Sequence, residues 1–526
     1  MRQIYFLLLL LVSFQACQKS GLPEKETLFW NLSNSPNSLD PAFSRDQVSS
    51  WICHQLHRGL VKLDDELEVQ PDIAYRWEID SSGQVYQFHL EQHAFHPHSI
   101  FGKDSSRTIT AHDFVYSFER LIDPELAAPG AWIFLQTVDL ERPFEAVDDS
   151  TLLIRLKRPF APFLQLLSMN YASVLPIETA ELSKSSMRTL GLGSGPYRLK
   201  HWYEGEHLLL EKAVANESAP TYLSVRFVPD KYNEWLRFLK GKLDFIHHLD
   251  GSIQRQILRP DGSLKAAHEG AFELKRVPFL NTEYLGFYLN DSSDHPLQNQ
   301  KVRQALNMGF DRKAMMKYLR KDIGRPAFHG FVPPALSFFE AADSLQPQYN
   351  QQKAKKLLAE AGYPEGEGLP VIALATNDGY LDLAIFMQNE WQKLGIQVDI
   401  DIYPPGQMRT EIGKGSLNFF RASWIADYAD AENYLSLFYS KNKAPAGPNY
   451  THFQNADYDQ LYEKAISTAA LAERKKLYQQ MQVIIMEEVP VIPLFYDENL
   501  RVYHKRLKKV NENALQQFNF IDWRLP

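Results

Sequence analysis

The sequence predicts an α/β protein made of more than one globular lobe, on three observations. At ~150 residues per domain, 526 residues are enough for two or three separate cores. Residues 370–403 read strand, helix, strand, the order of a βαβ unit with its parallel sheet. Residues 66–121 instead read as a β-hairpin followed by an amphipathic helix, an α+β arrangement.

Taken along the chain, Trp77–Asp80 and Val85–Leu90 alternate on either side of a Ser81-Ser82-Gly83 turn, the pattern of a hairpin. Thr110 then stands where a capping hydroxyl belongs, ahead of Phe114, Val115, Phe118 and Leu121, which share one helical face before Asp123-Pro124 ends the helix. Glu145–Leu156 and Val225–Val228 read as strands, and Tyr232–Leu239 as a short helix stopped by Gly241. In the second half Asp311 caps a helix carrying Met315, Met316 and Leu319, and Ala354–Ala361 form another, closed by Gly362. Pro370–Thr376, Leu381–Leu394 and Ile396–Tyr403 complete the βαβ unit. No repeat of solenoid or propeller period interrupts this order, so separate lobes with a cleft between them are expected.

Composition narrows the function classes. A hydrophobic fraction of 44%, with 25 Tyr, 32 Phe and 9 Trp, excludes wholesale disorder. The 56 Lys and Arg against 64 Asp and Glu leave a formal charge of −8 with no long basic run, which is not the electrostatic footprint of a nucleic-acid binder. Two cysteines, Cys17 and Cys53, supply neither a disulfide framework nor a thiolate metal site.

Arg2 followed by the uncharged run Ile4–Val12 and then Ala16-Cys17 is too short to span a bilayer and reads as an export signal. A small residue before a cysteine at that point resembles the bacterial lipoprotein signal, which would make Cys17 a lipid anchor and the cell envelope its location. An ordinary secretory signal cut nearby is the alternative. Cys53 is expected to be a small buried side chain.

No GxSxG, HExxH, GxxxxGK[ST] or CxxC motif occurs. Gly191–Pro196 is Gly-rich but has Pro196 where a dinucleotide fingerprint needs its third glycine, so it reads as a turn. His89, His93, His96 and His98 are spaced closely enough to consider as a zinc or nickel site, but Pro97 and the irregular segment favour solvated histidines beside a core Phe95.

A further pattern runs almost the whole length of the chain in order. Its parts are Ser38–Pro41, Thr110–Pro124, Gly193–Tyr197, Val302–Arg312, Lys355–Pro364, Trp424–Tyr428 and Val489–Tyr496. Together they resemble the oligopeptide-binding proteins of ABC importers, within the large extracytoplasmic solute-binding family that also holds dipeptide, murein-peptide, nickel and haem binders. The resemblance implies the two-lobed periplasmic-binding-protein fold, with hinged α/β lobes and an additional α+β domain inserted in the first lobe. On this chain it implies a signal at residues 1–17, a first lobe from 24–60, 190–277 and 493–526, an insertion at 61–189, and a second lobe at 278–492.

It also implies roles. A peptide of variable sequence offers an extended backbone, an α-ammonium and an α-carboxylate, and a tolerant binder must hold those three. Asp427 matches the family aspartate that pairs with the α-ammonium, Arg421 an arginine that receives the C-terminal carboxylate of short peptides, and Trp424 and Tyr428 line the site. Asn307 stands in place of a lysine found in close relatives and Tyr380 in place of a carboxylate-contacting histidine. Ile425 stands at one of two cysteine positions, and Ser33–Asn37 lack an expected acidic residue. Loss of the basic groups that read longer C termini implies short peptides. The expectation is a monomeric lipoprotein without enzymatic activity, cofactor or nucleic-acid partner. It would capture short peptides and deliver them to ABC permease and ATPase subunits. The alternatives are the same fold holding a nickel chelate, haem or murein peptide, a peptide sensor, or an exported peptidase or amidase.

Overall fold

The computed structural model describes residues 22–103, 105–290, 294–336 and 349–525, so the segment expected as an export signal and Cys17 lie outside the described residues. Strand Thr27–Leu32 pairs in parallel with Tyr222–Phe227, and the sheet continues through His207–Lys212 to Tyr197–Tyr203 in antiparallel register. Leu28, Trp30 and Leu32 alternate into a core that includes Leu208, Leu210, Leu223 and Val225. That core is completed by Phe518, Phe520 and Trp523, so both ends of the described chain close one lobe. Trp30 lies 5.3 Å from the Phe518 ring and 5.7 Å from Phe245, an aromatic cluster that supplies much of the apolar burial here. Asp244 ties the same edges together: it accepts from the Phe29 amide at 2.7 Å and pairs with Arg506.

Residues 74–155 build their own four-stranded antiparallel sheet, in the order Ala74–Ile79, Val85–Leu90, Thr151–Arg155, Phe144–Asp148. The stretch expected as one strand at 145–156 is a hairpin, because Asp148 accepts from the Ser150 amide and hydroxyl and turns the chain. Helix Ala111–Ile122 buries Phe114, Phe118 and Leu121 in this sheet's core. Thr110 and Asp113 form a capping box at its start, and Arg107 forks onto Asp113 at 2.6 and 2.7 Å. The Gly-rich run 191–196 is an irregular lead into strand Tyr197–Tyr203. Its glycines are required by close approach: a Cβ on Gly193 would overlap the Leu56 carbonyl oxygen.

The largest sheet runs Phe245–Ile246, Val491–His504, Phe272–Phe287, Phe419–Ile425, Ile372–Thr376, Val398–Ile402, with Arg325–Pro326 paired to Val491–His504. Its last three strands include the expected βαβ unit, closed by helix Leu381–Gln392, whose Leu383, Met387 and Trp391 are buried. The two longest strands, 272–287 and 491–504, pair antiparallel over most of their length, with a register shift between Pro278 and Thr282. Sixteen residues in one strand reach roughly 50 Å at ~3.3 Å each. One half of this ribbon adjoins Phe245–Ile246 beside the first sheet; the other adjoins Phe419–Ile425. The divisions expected at 277/278 and 492/493 both fall within these two strands.

The histidine segment is dispersed. His96 Nε2 bonds the Gly195 carbonyl at 2.8 Å, His98 Nδ1 accepts from the Ile100 amide, and His93 lies beside Arg58. Among the described residues no group of three or more His, Cys, Asp or Glu side chains could hold a metal ion. Cys53 is buried, with its thiol pushed up by burial. No helix among the described residues is long and apolar enough to cross a membrane.

Gly193→Ala forces a methyl group onto the Leu56 backbone and is expected to lower the melting temperature by several degrees, on the scale of ~1–3 kcal/mol for overpacking. Gly406→Ala, whose Cβ meets nothing within 4 Å, should melt like the parent in the same calorimetric scan.

Candidate ligand-binding site

Strand Phe419–Ile425 is hydrogen-bonded along Asn281–Phe287, and the Ala426 amide extends that ladder to the Leu280 carbonyl at 2.9 Å. The chain then leaves the sheet at Asp427 and enters the short helix Glu432–Leu435. Asn433, on that helix, folds back over the exit. Its Oδ1 accepts from the Trp424 indole at 2.9 Å and from the Asp427 amide at 3.2 Å, while its Nδ2 donates to Asp427 Oδ2 at 3.4 Å. One amide side chain thus orients both the indole and the carboxylate. Nothing in the local sequence pattern singles out Asn433, because its partners are brought to it by the turn.

Trp424, Asp427, Tyr428 and Asn433 line a cavity of about 440 Å³. Its facing wall comes from the segment with the four-stranded sheet, through Trp132, Gln136, Lys157, Arg158 and Phe160. The walls meet where the Ala161 amide donates to the Ile466 carbonyl at 2.7 Å and where Phe160 packs against both adjacent cores. The Asp427 side chain remains open to water from the cavity, yet protein surrounds it on its other sides. Burial therefore pushes its carboxyl upward, offset only by the Asn433 hydrogen bond. Among the described residues no cation pairs with it.

The other carboxylates of this turn are spoken for. Glu432 accepts from the hydroxyls of Tyr428 and Tyr462, and burial pushes its carboxyl up to about 7. Asp430 is fully buried and accepts from Tyr478 at 2.8 Å and Arg474 at 3.2 Å. These bonds lock the turn to helix Leu471–Glu488 and leave Asp427 as its one solvent-facing acid.

Of the residues implied by the resemblance, Asp427, Trp424 and Tyr428 share this cavity. Arg421 and Tyr380 form a second group. Leu285 is the cross-strand partner of Arg421, which places Glu283 within reach of the guanidinium, and the two form an ion pair. The Tyr380 ring covers that guanidinium, with Cζ 3.3 Å from its centroid, and the Tyr380 hydroxyl donates to Glu283 Oε1 at 3.3 Å. Burial raises the Glu283 carboxyl and the Arg421 charge opposes that shift. The arginine expected to meet a ligand carboxylate is therefore already engaged by an internal one. Tyr380 lines a separate cleft of about 510 Å³ with Arg255, Arg320 and Asp497. Asn307 is in neither place: it is buried in helix Gln300–Met308, where its Oδ1 accepts from the buried Arg312.

Arg421→Ala is expected to destabilise the fold by about 3–5 kcal/mol, because it strands a buried Glu283 carboxylate. A double variant with Glu283→Gln should recover part of that loss in a thermal double-mutant cycle.

Comparison with known proteins agrees with this architecture. The family model described as bacterial extracellular solute-binding proteins, family 5 middle, matches residues 68–446. The chain is 28% identical over 508 residues to heme-binding protein A of Haemophilus influenzae, covering 92% of this chain and 89% of that one. It is 27% identical over 513 residues to the periplasmic oligopeptide-binding protein OppA of Escherichia coli, covering 91% and 89%. Among solved structures, HbpA2 of Haemophilus parasuis superposes with a TM-score of 0.83 at 25% identity, covering 95% of this chain and 100% of that one. The unliganded open form of the periplasmic murein tripeptide binding protein MppA gives 0.81 at 24%, covering 96% and 98%. With well over half its length matched by the family model and a two-lobed fold to go with it, the chain belongs to family 5 of the bacterial extracellular solute-binding proteins.

Proposed function

We propose that this protein is the extracytoplasmic receptor of an ABC importer that captures short peptides by backbone and charged termini between two closing lobes and delivers them to the permease. The mature chain would work in the periplasm, tethered by a lipid on Cys17, as a monomer and without catalysis. The observation that carries the reading is Asp427. It is a carboxylate oriented by Asn433 in a cavity between two walls, and among the described residues no cation pairs with it. A peptide α-ammonium supplies that cation, and the indole of Trp424 offers a flat apolar wall to the first side chain. Lobe closure would then strengthen the ion pair by excluding water. The names of relatives favour the same ligand class, among them the oligopeptide-binding protein of Escherichia coli and a dipeptide-binding protein of Bacillus subtilis. Haem stands in the name of another relative, but no histidine lines this cavity.

Titration calorimetry of the unlipidated chain from Gly21 with a mixed tripeptide should show binding that N-acetylation of the peptide abolishes. Asp427→Asn should weaken it at least ~30-fold, the low end of the ~2–5 kcal/mol cost of removing one partner of a desolvated charge pair. Failure to bind free di-, tri- and tetrapeptides alike would refute the peptide reading.

Because the Asp427 carboxyl is raised in the free protein and must be ionised to hold an ammonium, affinity should fall as pH drops through that raised value. The fall should begin at a higher pH than an ordinary aspartate would give, and Asp427→Asn should remove it.

A further inference from the structure

If Arg421 is committed to Glu283, a ligand carboxylate needs another partner, and the wall facing Asp427 holds two candidates. Lys157 and Arg158 follow strand Thr151–Arg155, are both solvent-exposed, and line the same cavity. Among the described residues neither forms an ion pair. The carboxylates that feel the Arg158 charge are Glu432 and Glu463. Glu432 is taken by the hydroxyls of Tyr428 and Tyr462, and Glu463 by Lys441 at 2.7 Å and Tyr439 at 2.5 Å. The Lys157 ammonium is depressed by burial and by the neighbouring Arg158 charge, so two cations share one wall and neither has a carboxylate in ion-pair contact among the described residues. The opposite wall carries an acid without a counter-ion. An electrostatic dipole built across a cavity from groups that no ion pair engages among the described residues is complementary to a zwitterion.

We propose that Lys157 and Arg158 receive the carboxylate of the ligand whose ammonium pairs with Asp427, and so set its specificity in place of Arg421. The inference rests on the peptide reading above and adds the anionic half of recognition. A guanidinium beside an ammonium gives a forked donor and a point charge, a combination that holds a carboxylate from two directions. The cavity, at about 440 Å³, lies toward the small end of ligand pockets and suits a peptide of two or three residues. The carboxylate has two possible sources with the same chemistry: the C terminus of a very short peptide, or an acidic side chain at its first position.

The test is calorimetric titration of the parent, Asp427→Asn and a Lys157→Gln/Arg158→Gln double variant with Ala-Ala, Ala-Ala amide, Glu-Ala and Gln-Ala. The double variant should lose at least ~10-fold in affinity, as expected when charge-assisted hydrogen bonds are removed. A charge-preserving Lys157→Arg/Arg158→Lys exchange should retain binding, and unchanged melting curves would exclude a folding defect. If the loss for Ala-Ala matches the loss on amidating it, the wall reads the C terminus. If only Glu-Ala is weakened, it reads the side chain. Parent-like affinity of the double variant for all four peptides, with binding still lost in Asp427→Asn, overturns this inference and leaves the peptide reading standing. Absence of binding to the parent overturns both.

Discussion

The constraint on which this architecture depends is a continuous pair of antiparallel strands, 272–287 with 491–504. A ladder of backbone hydrogen bonds is stiff along its length but bends where the register is broken, and here it breaks between Pro278 and Thr282. Proline at 278 removes one donor at that point. On one side the ribbon adjoins Phe245–Ile246; on the other it receives Phe419–Ile425, the strand that delivers the site. The Asp427 wall of the candidate site is thus referred, through a short connection, to this ribbon, while the facing wall comes from the segment with the four-stranded sheet.

From that frame follows a division of labour among charges. In the interior, three acids are matched with arginines: Glu283 with Arg421, Asp430 with Arg474, Asp244 with Arg506. Such pairs add little net stability, but each leaves a costly orphan when one member is removed, so they hold elements to a single arrangement. Asp427, Lys157 and Arg158 line one cavity, and none of the three forms an ion pair among the described residues. Paired charges hold the walls, and charges without an ion pair among the described residues face the cavity. The contrast is sharpest between Asp427 and Glu432, five residues apart in sequence, one oriented by an amide and open to water, the other sealed under two tyrosine hydroxyls.

Much of the fold was legible in the residues because local signals there agree with the tertiary outcome. Thr110 caps the helix it was expected to start, Asp311 caps Arg312–Arg320 as expected, and the strand-helix-strand period of 370–403 survives intact. Glu145–Leu156 was misread as a single strand because its apolar alternation continues through a turn made by one aspartate side chain. Within the site, Trp424, Asp427 and Tyr428 were readable from a contiguous motif. Asn433, Lys157 and Arg158 were not, since each acquires its meaning from a partner that folding brings to it.

By itself the sequence determined the α/β class, the caps and periods of individual elements, and the family pattern. Those are properties of neighbouring residues, written in spacing and side-chain type. Only the tertiary structure decided which charges are paired inside the protein and which face the cavity. Arg421 and Glu283 are 138 residues apart and meet because two strands pair, while Arg158 reaches the cavity of Asp427 because separate cores abut. Whether a charge is neutralised depends on what lies within a few ångströms in space, and linear order does not encode that.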